Sequence, residues 1–349
     1  MDSVPISATP RPGRSWLVLQ LGIGTCIGIL ALVWAVRGLD LQQVLNTLEA
    51  ARYTWVLVSL ICVVGVALTK AARWNALYGV TEQPGSFRDL FSVLMIAQMV
   101  NVIIPLRVGE LIRIGLMKQA GRPGATTLST IAIEKALDLV AAGLIAVSLA
   151  LMAVAPQWLQ AWSGSVLLMG LTLLIGLILI WYLRAWLEKV LARLLALFGW
   201  LPVVWQGRLL RICSTMLEAF GAMTELRTAL RILFWTVVTW LFSLLAMLTL
   251  FSAFNLSVPF SAAVVMMLAI TFSNVVPSPP ALIGVIHAIA VVVLGEYGVA
   301  QPVALGFGIV LNIATVAPLV VLGSLALWQR ALFSVSLLHR YSPRRLWKG

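Results

Sequence analysis

Arg107, Glu110 and Arg113 recur at three-residue intervals in VNVIIPLRVGELIRIGLMK, residues 100–118, just after an apolar run that stops at Pro105. Residues three apart on a helix share a face, so a helix here carries a charged stripe. Two guanidinium groups against one carboxylate leave it net positive, and a planar guanidinium holds a phosphate through paired hydrogen bonds. The chemistry on offer is anion binding, with Arg107 and Arg113 as ligands and Glu110 orienting an arginine. The competing reading is a solvated loop with an ordinary surface salt bridge.

A second charged group follows in TTLSTIAIEKALDLV, where Glu134 and Asp138 are four apart and Lys135 and Asp138 three apart. The two acids share a helical face. They are candidates to pair with Arg107 and Arg113 in a network that rearranges as substrate passes; the alternative is that they snorkel to water near a span end. His287 is a lone imidazole in an apolar segment. It is a proton-coupling candidate only if Glu134 or Asp138 approaches it, and otherwise a local hydrogen-bond partner. With no paired histidines, no DxxD or HxxE array and no nucleophile beside a base, no catalytic residue is assigned and the chain is not expected to be an enzyme.

The elements that must position these groups are set by composition. Hydrophobic residues make up 61% of the chain and charged residues 10%, and mean hydropathy is +1.03. A soluble globule of that composition would expose too much apolar surface, whereas long uncharged runs match a bilayer. The expectation is an all-α polytopic membrane protein. A net charge of +12 would suggest nucleic acid in a soluble protein, but here the basic residues lie between the spans, so no nucleic-acid partner is expected. Cys26, Cys62 and Cys213 are isolated, with no CxxC and no Cys/His cluster, so neither a disulfide nor a metal site is inferred. No cofactor is expected.

In chain order, a polar tail of residues 1–15 precedes span one, Trp16 to Val36, which is too long for a signal-peptide core and is read as retained. Further full spans are expected at Tyr53–Thr69, Ala125–Val154, Ser163–Tyr182, Ile232–Phe254 and Val303–Trp328. Lys70 and Arg73 mark the return of the second span to the cytoplasm. Leu90 to Ile104 rises only about 22 Å as a helix, short of the roughly 30 Å hydrocarbon core, and is read as a re-entrant half-helix. Val264 to Val276, followed by PSPPALIG and Val285 to Leu294, forms a second broken region. A basic segment over 183–231 is read as an amphipathic helix on the inner surface, and 331–349 as a basic cytoplasmic tail. Trp16, Trp34, Trp55, Trp162, Trp181 and Trp328 sit near span ends as interface anchors. With six spans and both termini inside, only Arg37 and Arg52 of the 24 Lys and Arg residues fall outside and only Lys135 within a span, as the positive-inside rule requires.

That topology makes the two broken regions enter from opposite sides. They also resemble each other: VLMIAQMVNVIIP ends at Pro105 and VVMMLAITFSNVVP at Pro277, each with Asn-Val just before the proline and about half the chain apart. Two inverted repeats, about 16–160 and 161–330, would produce this, an arrangement known from transporters. Chance similarity in so apolar a sequence is the alternative. Asn101, Pro105, Gly109, Asn274, Pro277, Pro280 and Gly284 are the structural candidates at the breaks, the asparagines tying down freed backbone groups.

These same residues resemble the flippase-like transmembrane domain of lysylphosphatidylglycerol synthases. The motifs are P-x-R-x-G-E-x-x-R at Pro105, Arg107, Gly109, Glu110 and Arg113, the helix with Glu134 and Asp138, and P-S-x-P-x-x-I-G at Pro277, Ser278, Pro280, Ile283 and Gly284. The likeness covers about residues 16 to 330. Ala281 stands where the family usually has Gly, and His287 where relatives commonly carry Glu or another polar residue. The resemblance implies a multi-pass protein of the bacterial inner membrane that moves a lipid headgroup, with membrane lipids as partners. The related subgroup linked to hopanoid biosynthesis is also similar in length and architecture, and the sequence does not separate the two substrate classes. No synthase domain follows the last span, so lipid aminoacylation is not expected. No G-x-x-x-x-G-K-[ST] motif occurs, so any driving force is a gradient or none, and passive scrambling stays open. The rival readings are an accessory partner of lipid-biosynthesis enzymes, docking through the basic segment, and an integral-membrane lipid-modifying enzyme. The sequence sets neither the lipid nor the oligomeric state.

Overall fold

The computed structural model describes residues 41–78, 86–104, 108–152, 156–183, 225–273 and 279–340, with isolated positions between 186 and 207. All regular structure among the described residues is helical. The α-helices are α1 Leu41–Glu49, α2 Tyr53–Tyr78, α3 Phe87–Ile103, α4 Gly109–Gln119, α5 Gly124–Leu151, α6 Gln157–Tyr182, α7 Leu226–Ala253, α8 Phe260–Ser273, α9 Val285–Glu296 and α10 Gln301–Arg340, with a 3-10 turn at Pro280–Leu282. Among the described residues, α2, α7 and the 301–330 part of α10 are long and apolar enough to cross a bilayer, which makes this a membrane protein. The expected first span, most of the basic segment, and Pro105, Arg107, Asn274, Pro277 and Ser278 lie outside the described residues.

Two element bounds differ most from those expected. The helix over the second span continues past Thr69 to Tyr78, with Arg73 buried inside the protein. The last helix continues past Trp328 to Arg340. Helix α4 begins at Gly109, so Glu110 and Arg113 share its stripe while Arg107 precedes it.

Helices α2 and α7 form an antiparallel pair. Ser59 Oγ donates to the Ala246 carbonyl at 2.9 Å, Thr239 Oγ1 to Thr69 Oγ1 at 3.0 Å, and the Arg52 N–H to the Ala253 carbonyl at 2.8 Å. Such hydroxyls find partners within the bundle, as polar groups at membrane depth must. Close crossings elsewhere need missing side chains. An added Cβ at Gly143 would stand 2.6 Å from Leu167 Cα, and one at Gly170 would stand 3.0 Å from Val140 N, so α5 and α6 approach backbone to backbone. The main apolar core lies among α7, α8, α9 and α10, where the Phe307 ring packs at 5.3 and 5.6 Å from those of Phe251 and Phe254.

The turn before α9 carries left-handed backbone without glycine. Ala281 has φ 55° and Leu282 φ 54°, a region that costs an L-residue about 1–2 kcal/mol. Asn312 of α10 holds the turn by donating Nδ2 to the Ala281 carbonyl at 2.7 Å. Gly284, at φ 85°, then opens α9, and its N–H donates to Nδ1 of His287 at 3.1 Å. Ala281→Gly is therefore expected to stabilise the protein by about 1 kcal/mol and Asn312→Ala to destabilise it by a similar amount. Thermal unfolding in detergent, read as a shift in Tm, checks both signs.

Candidate functional site

Helices α3 and α4 form a tight antiparallel hairpin. Along its length, Ile112 and Leu116 of α4 pack against the buried cluster that includes Leu90, Val93 and Leu94 of α3. At its closed end the contacts are polar: Asn101, in the last turn of α3, accepts the Gly109 N–H on Oδ1 at 2.8 Å. A Cβ on Gly109 would collide with the Ala97 carbonyl and with Asn101, so the close approach requires glycine there.

This hairpin delivers Glu110 and Arg113 to α2 and α5. Arg113 is 1% exposed and its guanidinium Nη2 donates to Glu134 Oε2 at 2.9 Å, while Nη1 lies 3.6 Å from Glu110 Oε2. Its Cζ lies 3.7 Å from the centroid of the Trp74 ring, a desolvated cation–π contact. Arg73 of α2 is fully buried and grips Asp138 with both terminal nitrogens, at 2.6 and 3.2 Å, with Glu134 at 3.6 Å. Lys135, half exposed, reaches Glu110 at 3.5 Å. Three helices are thus stitched by an alternating array in which Glu134 sits between two arginines.

Three cations, Arg73, Arg113 and Lys135, face three anions, Glu110, Glu134 and Asp138. Glu110 and Arg113 of the expected stripe are joined here by two acids and a lysine from α5 and an arginine from α2, while Arg107, whose charge made the stripe net positive, lies outside the described residues. Lys70, one turn before Arg73, lies within Coulombic range of Asp138 and Glu134 and makes no ion pair among the described residues. Arg73 Nε, Arg113 Nε and Glu110 Oε2 are buried with no hydrogen-bond partner among the described residues, so the array holds spare donor and acceptor capacity. A hydroxyl ladder continues from it. Trp74 Nε1 donates to Thr130 Oγ1 at 3.0 Å, Thr130 donates to the Thr127 carbonyl at 2.8 Å, and the Thr127 and Tyr78 hydroxyls bond to each other.

The sequence-predicted residues Glu110, Arg113, Glu134 and Asp138 come together; Arg107 lies outside the described residues. His287 stands apart, on α9, as the hydrogen-bond acceptor of Gly284, with no carboxylate in ion-pair distance among the described residues. Two members of the site escape the sequence reading, in which Arg73 is only a topology marker and Trp74 has no role. A signal for them exists: both follow an apolar run with no break before Tyr78, so the helix has no reason to stop short of them.

Breaking one partner of a buried ion pair leaves an uncompensated charge and typically costs about 3–5 kcal/mol, while removing both costs less. Arg113→Leu and Glu134→Leu are each expected to lower Tm markedly, and the double variant to be less than additive. A double-mutant cycle by thermal unfolding checks this, and additive losses would show that the pair is not coupled.

No curated protein and no solved structure matches the chain. A family model does: its description is the lysylphosphatidylglycerol synthase TM region, it matches residues 17–323, and the chain belongs to that family.

Proposed function

We propose that the protein is a lipid translocator, a flippase or scramblase that carries the headgroup of an anionic or modified membrane lipid across the bilayer while the acyl chains stay in lipid. The observation that carries this reading is the charge-balanced array of Arg73, Arg113, Lys135, Glu110, Glu134 and Asp138 beside the α3–α4 hairpin, with Arg73, Arg113 and Glu134 buried at its centre. Ionisable groups at membrane depth are costly and persist where a polar species must pass. An anionic headgroup competes with Glu110 and Glu134 for Arg113, and a displaced carboxylate finds Arg73 or Lys135 within the array or Lys70 beside it. Arg107, in the connection from α3 to α4, is the candidate first ligand.

In this reading the α3–α4 and α8–α9 pairs are re-entrant hairpins of opposite sense in a six-span protein of the bacterial inner membrane, with both termini cytoplasmic. Their lengths support it: α3 has 17 residues and α8 has 14, roughly 25 and 21 Å of helix against a core of about 30 Å. The α2–α7 pair supports the opposite senses. Because these two are antiparallel, α3 starts from one end of the bundle and α8 from the other.

Translocation in proteoliposomes, with fluorescent anionic and zwitterionic lipids and an impermeant quencher, tests the proposal. Wild type is expected to move anionic lipid, and Arg107→Ala and Asp138→Asn to slow it by about tenfold or more, the value of one charge-assisted contact. Folded wild-type protein that moves none of a broad lipid panel would overturn the reading.

A further inference from the structure

Helix α2 turns one face to the charged array and the opposite face to a separate groove. Residues 68, 72, 75 and 76 lie along that second face, at helical spacing, and meet Arg231 and Trp235 at the start of α7 across a cavity of about 440 Å³. The walls are apolar, from Leu68, Ala72, Ala76 and the Trp235 ring. Three polar residues interrupt them: Thr69, whose hydroxyl is already hydrogen-bonded within the bundle, and Asn75 and Arg231. Among the described residues, Arg231 is exposed and makes no ion pair or hydrogen bond, and Asn75 Oδ1 is buried without a donor. Nothing in the charged array accounts for either.

Arg231 immediately precedes the apolar run of α7, so the groove opens at the end of a membrane span, the depth at which lipid phosphates lie. An exposed guanidinium there suits a phosphodiester, the buried amide oxygen suits a hydroxyl or ammonium donor next to it, and the apolar wall suits the first methylenes of an acyl chain. We propose that the groove between α2 and α7 is a binding site for one phospholipid, its phosphate on Arg231, a donor of its headgroup on Asn75 and its chain along Leu68, Ala72 and Trp235. A free phosphate ion would leave the apolar wall unused, so the occupant is a lipid. The site is distinct from the charged array and does not depend on transport.

Native mass spectrometry of the full chain in detergent, titrated with phosphatidylglycerol and with phosphatidylcholine, tests it. Phosphatidylglycerol, which offers headgroup hydroxyl donors, is expected to bind more tightly than phosphatidylcholine, which offers none. Arg231→Ala is expected to weaken phosphatidylglycerol binding about tenfold, whereas Arg227→Ala, one turn away and outside the groove, leaves it unchanged. Ala72→Trp, which fills the groove, is expected to abolish the binding, and soluble glycerol phosphate not to displace the lipid. Equal weakening by Arg231→Ala and Arg227→Ala would mean diffuse electrostatic attraction and overturn the proposal, as would displacement by glycerol phosphate. Because Arg231 and Arg227 are both exposed, that comparison decides the matter even if the Trp variant does not fold.

Discussion

Glu134 is held between Arg113 and Arg73, and the packing of α2, α4 and α5 follows from that arrangement. Each ion costs several kcal/mol to take out of water, a penalty returned only if its partners stand at hydrogen-bond distance. The contacts at 2.9 Å to Arg113 and 2.6 Å from Arg73 to Asp138 meet that condition. They also fix the relative positions of three helices, since none can slide without stranding a charge. The Trp74 ring beneath Arg113 and the hydroxyls of Thr127 and Thr130 extend the same constraint along the α2–α5 interface.

The hairpin that presents Arg113 is built from backbone requirements. Gly109 is where α4 meets α3 so closely that no side chain fits, and Asn101 replaces the hydrogen-bond partner that the break in the helix removes. The second short pair achieves its turn differently, with Ala281 and Leu282 in left-handed conformations secured by Asn312, and His287 serving the start of α9. One break is relaxed by glycine and the other is held by a long-range hydrogen bond.

These devices bear on function together. The charge-balanced array has unsatisfied atoms at Arg73, Arg113 and Glu110 among the described residues, the spare hydrogen-bonding capacity that the proposed headgroup passage would use. The groove on the other face of α2 puts the proposed lipid site and the charged array on one helix. The main apolar core lies among α7 to α10.

Membrane character, helical class, the shortness of α3 and α8 and the candidacy of Glu110, Arg113, Glu134 and Asp138 were legible in the chain alone, but the partner of Asp138 was not: it is Arg73, where the spacing suggested Arg107 or Arg113. Apolar run length, proline breaks and three- and four-residue charge spacing are local properties, and they survive in a one-dimensional reading. That Arg73 belongs with those four was not legible, because local pattern makes a cation at the end of an apolar run an interface marker. Only the approach of α5 to α2 puts Asp138 within 2.6 Å and turns that marker into the centre of a buried network. The same holds for Asn75 and Arg231, far apart in the chain, which share a groove because α2 and α7 run antiparallel.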